Sequence, residues 1–176
     1  MNYIGSKLSL LEFLEESINK VVDKNCHVFC DLFAGTGIVG SYFKKKGYAV
    51  IANDIQYYSF VLNKQYIENH EHLEFQKLSK ILPKLRNIEI GERKNFVCDY
   101  LSNLKGIKGF IFKNYCLGGT QNQEFQRQYF SDENGKRCDA IRTEIEKWKK
   151  EKLITDNEYY FLLATLIETI DKRANT

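Results

Sequence analysis

Three glycines, Gly35-x-Gly37-x-x-Gly40, follow an apolar run that ends in Asp31, and helical periodicity begins directly after them. A strand, a tight loop and a helix in that order present free backbone N–H groups, an arrangement suited to a nucleotide-like ligand. A second acidic residue, Asp54, stands nineteen residues after Gly35 and also satisfies the spacing of a dinucleotide fingerprint. The spacing alone does not choose between ligands.

The charges around it do. A carboxylate at Asp31 would repel a pyrophosphate but attract an ammonium group. Lys7, in the loop that precedes the first helix, could offer its charge to a carboxylate. S-adenosylmethionine has no phosphate, is positive at nitrogen and sulfur, and keeps a ribose for Asp54 to grip. Against this stand two plainer readings, that Asp31 caps the following helix and that Lys7 is solvated. A nicotinamide-dependent oxidoreductase is the alternative that the glycines alone would allow. Cys26, His27 and Cys30 invite a metal, but the five cysteines are scattered without a Cys-x-x-Cys pair. Cys26 and Cys30 fit better as same-face residues of a strand, and no metal is expected.

The elements that must position these residues can be read in order. Ser9-Leu-Leu-Glu12 has capping-box spacing and opens a helix from about Ser9 to Val22. Cys26 to Phe33 reads as a strand, Thr36 to Lys46 as a helix ended by Gly47, and Tyr48 to Ala52 as a second strand. The second strand is continuously apolar, which suits burial on both faces of a parallel sheet. Tyr57 to Asn69 is then a helix. Beyond His70 only Asn95 to Cys98 and Phe110 to Phe112 are candidate buried strands. Two amphipathic helices follow, about Asp132 to Glu151 and Asp156 to Lys172, the latter opened by a capping box at Thr155-Asp-Asn-Glu158.

In 176 residues, 43% of them hydrophobic, there is material for a core but no run near the ~18 to 20 apolar residues of a membrane span. The first residues lack a signal-peptide pattern, so a cytoplasmic protein is expected. The net charge of +3 permits a nucleic-acid partner without requiring one.

Asn2-Tyr-Ile-Gly-Ser-Lys7, Asp31-Leu-Phe-Ala-Gly-Thr-Gly37 and Asn53-Asp54 occur in an order and near a spacing that resembles the Dam-like class of DNA adenine-N6 methyltransferases. The match covers residues 1 to 69. Residues 114 to 176 resemble the recognition lobe of one branch of that family, in Asn114-Tyr115-Cys116-x-Gly-Gly119 and Asp139-Ala-Ile-Arg142. The resemblance implies an α/β fold: a partial Rossmann-like methyltransferase sheet over residues 1–69 and a mainly helical target-recognition lobe over 70–176. It also implies S-adenosylmethionine binding by Tyr3, Lys7, Asp31, Phe33, Gly35, Gly37 and Asp54.

Double-stranded DNA is then the expected partner. Between Lys105 and Arg137 there are six Lys or Arg against three Asp or Glu, interleaved with six Phe or Tyr. Basic groups neutralise phosphates, and Asn, Gln and Arg read base edges. Asn114, Tyr115, Arg127, Lys136 and Arg137 are the candidate DNA contacts, with Arg142 and the amides Gln121, Asn122, Gln123, Gln126 and Gln128 beside them. Phe110, Phe112 and Tyr159 read instead as core.

One part of the family's chemistry is absent. Adenine methylation there needs an Asp or Asn followed by Pro-Pro and an aromatic residue, which hold the amine and stack on the flipped base. This chain has a single proline, Pro83. No catalytic residue is therefore assigned, and the sequence reads as the front portion of such an enzyme, inactive alone. The alternative is a non-catalytic DNA- and cofactor-binding subunit, with a second chain that carries the missing motif as its partner.

Overall fold

The computed structural model describes residues 7–174, which form two compact units divided between His70 and Glu71. In the first unit a 3-10 turn, Leu8–Leu10, leads into α1 (Leu11–Asn19). Then come β1 (Val28–Asp31), α2 (Ile38–Lys45), β2 (Ala49–Ala52) and α3 (Tyr57–Asn63), the last continued by a π-helical turn, Lys64–Glu68. The strands pair in parallel, with Val28 opposite Ala49 and Asp31 opposite Ala52. α2 connects them. It buries Val39, Gly40 and Phe43 against the sheet, and the Phe43 ring stacks on Phe29 at 4.2 Å. Gly40 leaves room for neighbours on both sides, since a Cβ there would stand 3.2 Å from Val50 Cγ1 on β2 and 2.6 Å from Ile67 Cδ1 on the π-helical turn.

The observed helix start differs from the expected one. Leu10, without a side-chain cap bond, occupies the N-cap of α1, so Ser9 and Glu12 do not form a capping box there. The helix ends at Asn19, and Val21 beyond it is exposed. Gly47, at φ +94°, closes α2 as its position suggested. β1 is shorter than Cys26 to Phe33 because its only ladder partner among the described residues, β2, is four residues long. Both strands alternate between exposed and half-buried residues, so β2 is not buried on both faces.

The second unit is helical. Two 3-10 helices (Gln76–Lys80 and Pro83–Asn87) precede α4 (Ile90–Ser102), α5 (Phe110–Tyr115), α6 (Leu117–Thr120), α7 (Asp132–Lys150) and α8 (Asp156–Arg173). Its core gathers Leu78, Leu85, Val97, Ile145, Trp148 and Leu162. α7 starts where Ser131 Oγ accepts the Asn134 N–H, and α8 opens on the expected Thr155–Glu158 capping box.

Both candidate strands in this unit are helical instead. Asn95 to Cys98 lies in α4, whose buried residues Val97 and Leu101 are one helical turn apart. Phe110 to Phe112 begins α5; Phe112 is buried there, but Phe110 is 70% exposed and is not core. Tyr159 is buried, as its pattern indicated. The fold is mixed α/β, mostly helical, with a small parallel sheet. No described helix is long and apolar enough to cross a membrane.

Candidate functional site

The turn between β1 and α2 is braced by both of its neighbours. Gly35 (φ +52°) and Gly37 (φ +75°) occupy the left-handed region, which a side chain would strain. The Gly35 N–H donates to Asp54 Oδ2 at 2.8 Å, and the Gln56 N–H donates to Asp54 Oδ1 at 2.9 Å. These two backbone donors, Gln56 first and Gly35 second, hold the Asp54 carboxyl below the usual carboxylate range. Asn53 extends the link from β2. Its Nδ2 donates to Leu32 O at 3.0 Å, and its carbonyl accepts the Ala34 N–H at 2.9 Å.

At the other side of the loop, Asp31 Oδ1 accepts the Phe33 N–H at 3.2 Å, and Lys7 Nζ donates to Phe33 O at 3.3 Å. Asp31 does not cap α2, since Gly37 occupies the N-cap without a side-chain bond. The structure thus brings Lys7, Asp31, Phe33, Gly35, Gly37 and Asp54 around one turn; Tyr3 lies outside the described residues. Two buried oxygens here, Asp31 Oδ2 and Asn63 Oδ1, have no hydrogen-bond partner among the described residues. Buried acceptors left open cost free energy unless something answers them. Phe33 is 80% exposed and Ile55, beside Asp54, 98%, so the mouth of the turn also offers apolar surface.

Asn63 carries no motif and was not singled out in the sequence. Its Nδ2 donates to Ser59 O at 2.7 Å and to Gly35 O at 3.3 Å. The only local signal was a second polar side chain one helical turn after Ser59, among the apolar residues of α3. Among the described residues no three His, Cys, Asp or Glu side chains are placed to hold a metal ion. Cys26 and Cys30 are exposed.

In the helical unit, residues 121–129 form an exposed loop whose base is fixed. Thr120 is buried; its Oγ1 donates to Cys116 O and accepts the Arg127 N–H, both at 2.9 Å. The Arg127 guanidinium lies 6.0 Å over the Tyr115 ring and donates to Asn114 O at 3.4 Å. Asn114, Tyr115 and Arg127 therefore share one site. Lys136 does not join it by contact: its ammonium lies 4.7 Å over the Phe112 ring. Arg137 pairs at 2.7 Å with Glu133, one helical turn before it, and Arg142 with Glu146, one turn after it.

Asp139 has a larger part than the sequence indicated. Buried on α7, its carboxylate accepts the N–H groups of Gly109, Ile111 and Phe112 at 2.8 to 3.0 Å and so anchors the start of α5. The glycines nearby allow close packing. A Cβ at Gly119 would meet Phe112 O, and one at Gly135 would meet Cys116 Sγ.

A parallel strand–turn–helix with left-handed glycines and unanswered buried oxygens, in a chain that also has an exposed, amide-rich loop on a helical unit, makes this a mixed α/β protein. The family is specific: residues 3–176 match the D12 class of N6 adenine-specific DNA methyltransferases, and the chain belongs to that family. It is 47% identical over 178 residues to the type II methyltransferase M.NlaIII of Neisseria lactamica, covering 100% of this chain and 47% of that protein. It is 39% identical over 170 residues to the type II methyltransferase M.FokI of Planomicrobium okeanokoites, with 97% and 24% covered. To the modification methylase StsI of Streptococcus sanguinis it is 36% identical over 181 residues, with 100% and 25% covered. The chain thus spans about half or less of the length of these relatives. No solved structure matches it significantly.

Proposed function

We propose that this chain supplies the cofactor-binding and target-recognition parts of a cytoplasmic, site-specific DNA adenine-N6 methyltransferase of the restriction-modification type. The observation that carries the reading is the glycine turn, where Asp31 Oδ2 and Asn63 Oδ1 are buried and unanswered within a chain matched to the family over nearly its whole length. The first unit is then part of a Rossmann-like sheet, and residues 70–176 are the recognition lobe.

The residues present fit S-adenosylmethionine, which would supply the methyl group. Asp31 attracts its ammonium; an ion pair at about 4 Å contributes on the order of 4 kcal/mol near a protein surface before desolvation. Lys7 answers the methionine carboxylate. Tyr3 and Phe33 add contact, Gly35 and Gly37 admit the ligand to the backbone, and Asp54 keeps lone pairs for ribose hydroxyls. Asn114, Tyr115 and Arg127 face the DNA, with Lys136 and Arg137 as phosphate contacts. Arg137 acts only by exchanging its intrahelical carboxylate for phosphate.

The Asp/Asn-Pro-Pro-aromatic motif, which these 176 residues do not contain, would complete the reaction, carried by a further segment of the same protein or, alternatively, by a second chain. The half-exposed strands, with apolar Val28 and Ile51 facing solvent, favour cover by that segment. The test pairs two assays. Calorimetry with S-adenosylmethionine should show weak binding that Asp31→Ala abolishes. Incubation of the chain with labelled cofactor and mixed-sequence DNA should transfer no label. Binding unchanged in Asp31→Ala sinks the cofactor assignment, and turnover by the purified chain sinks the assignment of catalysis to residues outside these 176.

A further inference from the structure

We infer that Asn63 is a positioning residue, which aims the Thr36 N–H at the cofactor by holding the peptide plane between Gly35 and Thr36. The inference rests on the reading of the turn as the S-adenosylmethionine site. From Phe33 to Gly37 four of the five backbone donors are engaged: Phe33 N–H by Asp31, Ala34 N–H by Asn53 O, Gly35 N–H by Asp54 and Gly37 N–H by Ala34 O. Among the described residues, Thr36 N–H has no such partner.

A trans peptide is planar, with its C=O and N–H opposed, so fixing one fixes the other. Asn63 Nδ2 takes the Gly35 carbonyl, while Asp54 holds the Gly35 N–H. Gly35 is thus held on both sides of its Cα, and the Thr36 N–H is turned away from Asn63. Both partners of Nδ2 are carbonyl oxygens, which settles which end of the amide is nitrogen. Oδ1 then faces Gly37, where a Cβ would stand 2.6 Å away. The same amide that aims Thr36 therefore also makes glycine necessary at position 37.

NMR on the isotope-labelled full chain tests this with Asn63→Leu, which removes the donor, and Asn63→Asp, which replaces it with an acceptor. In the wild type, added S-adenosylmethionine should shift the Thr36 amide resonance. In both variants the Gly35 amide should exchange with solvent at least tenfold faster, while protection in α7 and α8 stays unchanged. Cofactor affinity should fall about tenfold, and the Thr36 response should disappear. Gly35 exchange within twofold of wild type in both variants overturns the positioning role, whether or not cofactor binds. In the wild type, cofactor binding without a Thr36 shift overturns the aim assigned to that N–H. A wild-type chain that shows no binding overturns the cofactor reading, and the Gly35 exchange rate then decides the Asn63–Gly35 latch by itself.

Discussion

Asp54 holds the Gly35 and Gln56 N–H groups at the same time, and both bonds favour its charged form. Its carboxyl in the folded chain therefore ionises at lower pH than in the unfolded chain. The stability it contributes is fully present above the unfolded value and is lost as pH falls through the folded one. Asp54→Asn should accordingly flatten the acid limb of the turn's stability. Gly35 amide exchange, followed from neutral pH into the acid range and corrected for intrinsic rates, should quicken relative to neutral pH in the wild type. In the variant it should be fast throughout, and a wild-type rise no larger than the variant's would count against the assignment. Asp31, Asp54 and the glycines were legible because charge and spacing were visible in a short window. Asn63 was not, since its partner Gly35 lies 28 residues earlier.

The helices with local start signals were legible as elements, and those held from afar were not. α7 and α8 lie within a residue of their expected bounds because Ser131, Thr155 and Glu158 cap them and an apolar stripe runs along each. α5 is six residues long and begins where a carboxylate 27 to 30 residues later receives its N–H groups. Its apolar Phe-Ile-Phe run, seen alone, suits a strand equally well. Asp139→Ala would leave the Ile111 and Phe112 N–H groups without their acceptor, while Gly109 N–H keeps Ile107 O at 3.1 Å, and should cost about 2 kcal/mol, taking roughly 1 kcal/mol or more for each orphaned donor. Asp139→Asn keeps one acceptor oxygen and should cost less. Denaturant unfolding would measure both, and equal midpoints for Asp139→Ala and wild type would dismiss the anchor. If Asn114 and Tyr115 on α5 contact DNA as proposed, the Ala variant should also lose DNA binding before it loses α8.

Across the whole molecule, the two units differ in what stabilises each. The helical unit encloses Trp148, Ile145 and Leu85 completely. The first unit rests on a two-stranded sheet with half-exposed faces, and a sheet of that size is marginal without more strands or good helix cover. The sequence showed the strand–turn–helix pattern but overstated the burial of β2, because apolarity reports only how a strand could be covered. Unfolding should therefore occur in two steps. Trp148 is the chain's one tryptophan, so its fluorescence reports the helical unit alone. Amide exchange or circular dichroism should show β1, β2 and α2 lost at lower urea than the Trp148 transition. On the proposed function S-adenosylmethionine would bind only the folded turn, and it should raise the first midpoint and leave the second unchanged. Coincident transitions by both probes would mean that the units fold as one, and the exposed sheet would then need no partner to account for its stability.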